Sequence, residues 1–162
     1  GRIINVRQDQ VCTDEGDIAF REVVEHPGAV AVMALDDENK IVLVRQYRQP
    51  AKAVLYEIPA GKLEPNEDPL VCAKRELLEE TSFKAERWEK VFSFYTSPGF
   101  CDEVIHLFKA QKIRQAPSPG PDPDEIIETI KVPLGKAALM IEKGEIVDGK
   151  SIIAIQNLLI HI

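Results

Sequence analysis

Three glutamates near the middle of the chain are the residues best suited to chemistry by their type and spacing. On an α-helix, where successive residues turn by about 100°, Glu76, Glu79 and Glu80 fall within an arc of roughly 100°. Hard cations such as Mg²⁺ prefer oxygen ligands and bind through a few carboxylates, water and substrate phosphates. The three glutamates therefore suggest a magnesium platform. The alternative is a solvated acidic helix face, in which Arg75 pairs with Glu79 at i and i+4.

The residues around these glutamates favour the magnesium platform because they follow a long pattern with many fixed positions. The positions that match are Gly61, Glu67, Arg75, Glu76, Leu77, Glu79, Glu80 and Phe83. With these residues the segment resembles the Nudix box, Gly-x5-Glu-x7-Arg-Glu-U-x-Glu-Glu-x-Gly-U, where U is aliphatic or bulky and apolar. The one departure is Ser82, where the family has a glycine that supplies a left-handed helix cap. Serine adopts that conformation at a modest cost, so the departure bears on the helix end rather than on the carboxylates.

The resemblance implies a divalent metal, Mg²⁺ or Mn²⁺, and hydrolysis of a nucleoside diphosphate linked to another moiety. The metal would neutralise the pyrophosphate and lower the pKa of a bound water that attacks phosphorus. A neighbouring carboxylate would then remove the proton of that water, and Glu79 and Glu80 are candidates for this catalytic role. The implied metal ligands are, first, Glu76 and Glu80, and then Glu79 and the carbonyl oxygen of Ala60.

Three residues of the box would have structural roles, by the same resemblance. Gly61 opens the box, and Arg75 would orient the glutamates that follow it. Glu67 would tie the box loop by a salt bridge, which in the family is often made to this arginine. The resemblance thus predicts a loop–helix–loop over 61–83 with the carboxylates facing a cleft. Apolar residues on two flanks of the helix, Leu70 and Leu77 on one and Val71 and Leu78 on the other, predict packing on both.

Other segments resemble one subfamily, the ADP-ribose pyrophosphatases. Pro98 follows Phe83 by fifteen residues, a distance associated with that subfamily, although Pro-Gly is also an ordinary turn. Stretches 44–50 and 56–62 are similar to its lead-in to the box, and 19–30 to its N-terminal hairpin. The resemblance implies hydrolysis of ADP-ribose to AMP and ribose 5-phosphate. The alternatives are another nucleoside diphosphate sugar as substrate, or a sensor that binds a nucleotide without cleaving it.

Candidate substrate-binding residues lie outside the box. Guanidinium groups pair bidentately with phosphate, so arginines beside a carboxylate cleft are candidates, although each is as easily a solvated charge. Members of the subfamily are usually homodimers in which N-terminal strands reach the partner's pocket, and Arg21 and Glu22 would act across that interface. The candidates are Arg21, Glu22, Arg45, Arg48, Pro98, Gly99 and Phe100.

A proline-rich stretch over 116–125 is the candidate for a catalytic loop. Only about 37 residues follow it, too few for a typical second domain, so a functional surface loop is preferred to a linker. The resembled subfamily often supplies a catalytic glutamate from such a loop. Glu125 matches best, and Glu128 is the alternative.

The elements that position these residues alternate between strands and a few helices, which predicts a mixed α/β or α+β domain. By resemblance it is the Nudix fold, a mixed sheet sandwiched between helices with an N-terminal antiparallel hairpin. One domain spans 1–162, with 1–35 as N-terminal strands that could form a dimer. Predicted strands are 18–24, 29–35, 41–47, 54–58, 88–95, 104–110 and 126–132, and predicted helices are 69–81, 134–143 and 151–160, with Asp68 and Ser151 as possible caps.

Composition excludes several classes of function. The chain has 162 residues with 27 acidic and 20 basic side chains, a net charge of −7, which argues against a nucleic-acid partner. No apolar run approaches the roughly 20 residues that a membrane helix needs, so no membrane partner is expected. Three widely spaced cysteines with no Cys-x-x-Cys pair favour reduced thiols in a cytoplasmic protein. The expected partner is a small nucleotide sugar.

Overall fold

The computed structural model describes residues 4–120 and 126–161. Within these residues it contains a mixed set of strands and three helices, and the predicted α/β class is confirmed. In chain order the elements are β1 (Asn5–Cys12), β2 (Ile18–Glu25), β3 (Ala29–Leu35), β4 (Lys40–Arg48), β5 (Ala53–Glu57), β6 (Ala60–Lys62), α1 (Pro69–Thr81), β7 (Phe83–Tyr95), β8 (Val104–Gln115), β9 (Ile127–Pro133), α2 (Leu134–Glu142) and α3 (Gly149–Ile160).

The main sheet is mixed and is covered on both faces. Its order is β5-β4-β3-β8-β7, with β6 paired to β3 and β9 paired to β4. The central strands β3 and β8 run parallel, and the other pairs are antiparallel. All seven residues of β3 are buried, which explains why its sequence is continuously apolar rather than alternating. Val30 and Val32 pack in the cluster with α1, and Ala31 and Met33 pack in the cluster with α2 and α3.

Helix α1 begins and ends as its local sequence predicts. The Asp68 side chain accepts hydrogen bonds from the backbone N–H groups of Leu70 and Val71, and Pro69 occupies the first turn. Ser82 closes the helix in the left-handed conformation, with φ 57° and ψ 29°, in the place of the family's glycine. The expectation of packing on two flanks is wrong for Val71, which is 57% exposed, because the buried residues of α1 lie on one face.

The N-terminal hairpin is present, but it pairs β2 with a strand that the sequence analysis did not identify. β1 and β2 are antiparallel over their full lengths, from Asn5 opposite Glu25 to Cys12 opposite Ile18. Most of β1 is exposed, so its sequence lacks the apolar alternation that marks a half-buried strand. The hairpin joins the body through the backbone of Val24, whose N–H donates to the carbonyl oxygen of Phe100 at 2.7 Å.

Several other boundaries differ from the predictions: β7 begins at Phe83 rather than at 88, and β8 continues to Gln115 rather than ending at 110. Helix α3 begins at Gly149 and is capped by Asp148, two residues before the predicted start; Ser151 is buried inside its first turn. The Ser151 hydroxyl accepts a hydrogen bond from the backbone N–H of Ile58 at 2.8 Å, a tertiary contact that local sequence cannot reveal. The short strand β6 was also missed, because three residues carry too little pattern. No helix of the described residues is both long and apolar enough to cross a membrane.

Candidate active site

A cavity of about 1120 Å³ lies where α1, β6 and the start of α3 meet the ends of β4 and β7. One wall carries Ala60 and Gly61 of β6 with the three glutamates of α1, as the sequence analysis expected. Another part of the lining carries charged residues that it did not expect as a group, namely Arg48, Asp148 and Lys150. The described end of the proline-rich loop also reaches the cavity, through Pro119 and Gly120.

The carboxylate of Glu76 lies directly against the backbone of Gly61. A Cβ atom built on Gly61 would lie 1.9 Å from Cδ of Glu76, and 2.0 and 2.3 Å from its two carboxylate oxygens. These distances are far inside van der Waals contact, so only glycine leaves room for the carboxylate. The glycine that opens the box therefore has a steric role, which is to let Glu76 reach the cavity wall beside β6.

Arg75 joins the box loop to the carboxylates of α1. Its Nη1 donates to Glu76 Oε1 at 2.7 Å and to Glu79 Oε2 at 3.0 Å. Its Nε and Nη2 donate to the two carboxylate oxygens of Glu67, both at 3.0 Å, which is the salt bridge that the resemblance implied. The hydrogen bonds from Arg75 hold the pKa of Glu67 at about 2, and the same carboxylates raise the pKa of Arg75. This arginine thus offsets the repulsion among the carboxylates around it.

The buried thiol of Cys72 packs beneath this network. Its Sγ lies 3.3 Å from Nη2 of Arg75 and 3.4 Å from the carbonyl oxygen of Lys62. Burial, with the nearby carboxylate of Glu67, raises the pKa of Cys72 to about 12. The group stays a neutral thiol at physiological pH, so it is not a nucleophile of this site.

Glu80 is held from two sides. Its Oε2 accepts a hydrogen bond from the backbone N–H of Ala60 at 3.1 Å, which places the carboxylate beside the residue whose carbonyl is the further candidate ligand. The Thr129 hydroxyl of β9 donates to the backbone carbonyl of Glu80 at 3.1 Å and ties this end of α1 to the sheet. Ala60 and Glu80 are therefore adjacent although twenty residues separate them.

The donor chemistry of this wall fits a hard divalent cation. Carboxylate and carbonyl oxygens are the ligands that Mg²⁺ prefers. The close contact between Glu76 and Gly61 keeps the Glu76 carboxylate at the cavity wall. Within residues 4–120 and 126–161, however, no three acidic, histidine or cysteine side chains converge as a ready-made cation site. Nη1 of Arg75 bridges Glu76 and Glu79, so an ion would compete with that guanidinium for carboxylate oxygens.

A buried ionic cluster that the sequence analysis missed lies beside the cavity, where Arg48, Asp148 and Lys150 line it. Glu57, at the end of β5, is 1% exposed and accepts from Nε and Nη2 of Arg48 at 2.7 and 2.8 Å. Lys150 of α3 also contacts Glu57 through Nζ, and donates to Asp148 at 3.0 Å. Burial by itself raises the pKa of a carboxyl group, but the hydrogen bonds and charges of Arg48 and Lys150 outweigh it and lower the pKa of Glu57. Glu57 and Lys150 are 93 residues apart, so no local spacing could have revealed them.

Most of the other predicted substrate-binding residues lie outside this cavity. Arg45 is on the surface, where it pairs with Glu128 at 2.9 Å. Arg48 lines the cavity, and the carboxylate of Glu57 occupies the Nε–Nη2 edge of its guanidinium group. Glu125 lies outside the described residues. The exposed candidates on the hairpin and on the loop at its base are Arg21, Glu22, Pro98, Gly99 and Phe100.

Comparison with known proteins shows what the chain is similar to. The family model described as NUDIX domain matches residues 25–153. A methanol dehydrogenase activator of Bacillus methanolicus is 47% identical over 98% of this chain and 86% of its own length. An ADP-ribose pyrophosphatase of Bacillus subtilis (strain 168) is 43% identical over the same shares. A GDP-mannose pyrophosphatase of Cronobacter sakazakii is 37% identical over 85% of this chain and 76% of its own length.

A solved structure supports the fold. The crystal structure of an ADP compounds hydrolase superposes with a TM-score of 0.84 over 96% of this chain and 84% of that chain, at 20% sequence identity. At this sequence identity the similarity supports only the fold, that is, the arrangement of the sheet and helices.

Proposed function

The chain belongs to the NUDIX domain family and is a Nudix hydrolase, and from this premise we propose that it hydrolyses ADP-ribose to AMP and ribose 5-phosphate with the help of Mg²⁺ or Mn²⁺. The observation that carries the proposal is the cavity wall formed by the three box glutamates and Ala60. The choice of ADP-ribose is supported by the 43% identity to an ADP-ribose pyrophosphatase over nearly the whole chain.

The proposed roles follow the resemblance to the Nudix box, and the positions of the described side chains support those on α1 and β6. Glu76, Glu80 and Glu79, with the carbonyl oxygen of Ala60, would hold the divalent ion. The ion would supply charge neutralisation of the diphosphate and a lower pKa for the attacking water. Arg75 keeps Glu76 and Glu79 oriented through its bonds at 2.7 and 3.0 Å. Glu125 is the proposed general base, with Glu80 and Glu79 as the alternatives on α1.

The direct test is a hydrolysis assay with product identification. We expect AMP and ribose 5-phosphate from ADP-ribose in the presence of Mg²⁺ or Mn²⁺, and neither product with a chelator. Reaction in ¹⁸O-labelled water shows which phosphorus is attacked, because the label appears in one of the two products. If GDP-mannose or another nucleotide sugar is cleaved faster, that compound and not ADP-ribose is the preferred substrate. Binding without cleavage of any nucleotide sugar would favour the sensor alternative.

Gly61→Ala is expected to lower kcat/KM by up to about a hundredfold, because displacing a catalytic group by about 1 Å has an effect of that size. The added methyl group would occupy the position of the Glu76 carboxylate, 1.9 Å away, and force it off the cavity wall. Steady-state kinetics measure the loss. Gly135→Ala is the matched control, since its Cβ meets nothing within 4 Å, and equal activity of the two variants would contradict the steric role of Gly61.

A second candidate function is activation of a dehydrogenase. It rests on the 47% identity to a methanol dehydrogenase activator, which is as extensive as the match to the pyrophosphatase. The two functions are separable by experiment. Methanol oxidation by a purified methanol dehydrogenase is measured with and without this chain, and then with a Glu80→Gln variant of the chain. If the wild-type chain increases the rate of methanol oxidation and the Glu80→Gln variant does not, activation depends on the hydrolytic site.

The protein is also proposed to form a homodimer. Its proposed location is the cytoplasm, where the three free cysteines would remain reduced. The hairpin supports the homodimer, since Val6, Ile18 and Phe20 are 67%, 65% and 58% exposed on β1 and β2. Arg21 and Glu22 of the same hairpin would then reach the partner's cavity. Light scattering after size-exclusion chromatography gives the mass in solution, and a fully active monomer would contradict this arrangement.

A further inference from the structure

The ionic cluster of Arg48, Glu57, Asp148 and Lys150 is organised around one buried carboxylate. Glu57 accepts from Arg48 at 2.7 and 2.8 Å and is in contact with Nζ of Lys150. Removing charges from water is costly, and a buried ion pair is often no more stable than apolar residues of the same volume. Stability of the fold alone is therefore a weak reason for this cluster in a cavity wall.

Lys150 is held in place from several directions. It contacts Glu57 and donates to Asp148 at 3.0 Å, and Asp148 is also the N-cap of α3. The hydroxyl of Ser151 fastens the same helix turn to the backbone of Ile58, next to Glu57. Lysine has three N–H donors, and within the described part of the chain two of them have partners. The third donor of this ordered ammonium group is available to a molecule in the cavity that Lys150 lines.

The charges of the cluster indicate which part of a nucleotide sugar suits it. Lys150 contacts two carboxylates, those of Glu57 and Asp148, so its positive charge is already offset. Diphosphate oxygens only accept hydrogen bonds and would meet the carboxylate of Asp148, which lines the cavity beside Lys150. Sugar hydroxyls both donate and accept, which matches the ammonium group of Lys150 and the carboxylate of Asp148 in the cavity lining. The diphosphate belongs with the divalent ion on the glutamate wall.

We infer that Lys150, positioned by Glu57 and Asp148, hydrogen-bonds a hydroxyl group of the sugar beyond the diphosphate and helps to determine which nucleotide sugar is cleaved. The inference rests on the proposed function and assigns a substrate contact to the C-terminal helix. It concerns the sugar alone. A substrate that has the same nucleoside diphosphate but no second sugar attached to it would not use the contact.

The experiment compares ADP-ribose with the methyl ester of ADP, in which a methyl group replaces the sugar. Lys150→Met is expected to lower kcat/KM for ADP-ribose by about tenfold or more, the effect of losing one hydrogen bond from a charged donor, and to leave the methyl ester unchanged. Lys136→Met is the matched control, since Lys136 is an exposed helix residue outside the cavity. Thermal unfolding checks that each variant is folded. Lys150→Arg, which keeps a charged donor to Glu57, is the second variant.

The outcomes separate this inference from the proposed function. An equal loss on both substrates would place Lys150 on the diphosphate and overturn the inference, and no loss on either would leave Lys150 a purely structural residue. If the wild-type protein cleaves neither substrate, the proposed function is wrong. Titration of ribose 5-phosphate and of methyl phosphate, followed by NMR, then decides the inference separately. A loss of binding in Lys150→Met that is confined to ribose 5-phosphate supports it; no wild-type binding, no loss, or an equal loss for both ligands overturns it.

Discussion

Glu80→Gln is expected to reduce kcat for nucleotide-sugar hydrolysis by about a thousandfold and to leave the chain folded. Glutamine keeps the size of the side chain and an oxygen that can accept a hydrogen bond from the backbone N–H of Ala60. In the wild-type chain this bond joins Ala60 N to Glu80 Oε2 at 3.1 Å. It removes the negative charge that would bind the divalent ion or take a proton. The contact of Thr129 with the backbone carbonyl of Glu80 is unaffected, so helix α1 stays attached to β9.

The measurement is kcat at saturating substrate over a series of Mg²⁺ concentrations, with thermal unfolding as the check on folding. Glu142→Gln is the matched control, because Glu142 is an exposed glutamate at the end of another helix. A metal ligand predicts that part of the lost activity returns at high Mg²⁺. A kcat within fivefold of the wild-type value would mean that Glu80 neither binds the ion nor acts as a base.

The glutamate helix was predictable because its determinants are local. Asp68 and Pro69 start it, Ser82 ends it, and the carboxylates follow from the helical period. The left-handed conformation of Ser82 shows that the family's helix end survives the change from glycine. The salt bridge of Glu67 with Arg75 joins residues eight positions apart, which is still within one loop and helix.

The rest of the site depends on contacts between distant segments, which one sequence does not encode in any local pattern. Glu57 and Lys150 meet across 93 residues, and each alone resembles an ordinary charged surface residue. Glu57 is in fact among the most deeply buried side chains. The strand β1 was missed for the opposite reason, since it is exposed on most of its length and has no apolar period to detect.

Glu125→Gln is expected to lower kcat at least a hundredfold, which lies within the usual contribution of about 10²–10⁴ from a general base. The prediction rests on the family resemblance, and the ends of the loop support it. Pro119 and Gly120, in the described part of the loop, line the cavity, and after the loop β9 starts with Ile127 paired to Gln46, another cavity residue. The described residues on both sides of Glu125 therefore lie at or next to the cavity.

The pH dependence distinguishes a base from a metal ligand. Loss of a general base removes the acidic limb of the kcat/KM profile, because the carboxyl group whose ionisation produced that limb is absent. Glu128→Gln is the matched control, and it should be nearly silent, because Glu128 is 60% exposed in its side chain and pairs with Arg45 outside the cavity. If Glu125→Gln has the wild-type rate, the base must be sought at Glu80 on α1 or at Glu128. A large loss in the Glu128 variant alone would require the substrate to reach beyond the cavity of one chain, toward the surface where Arg45 lies.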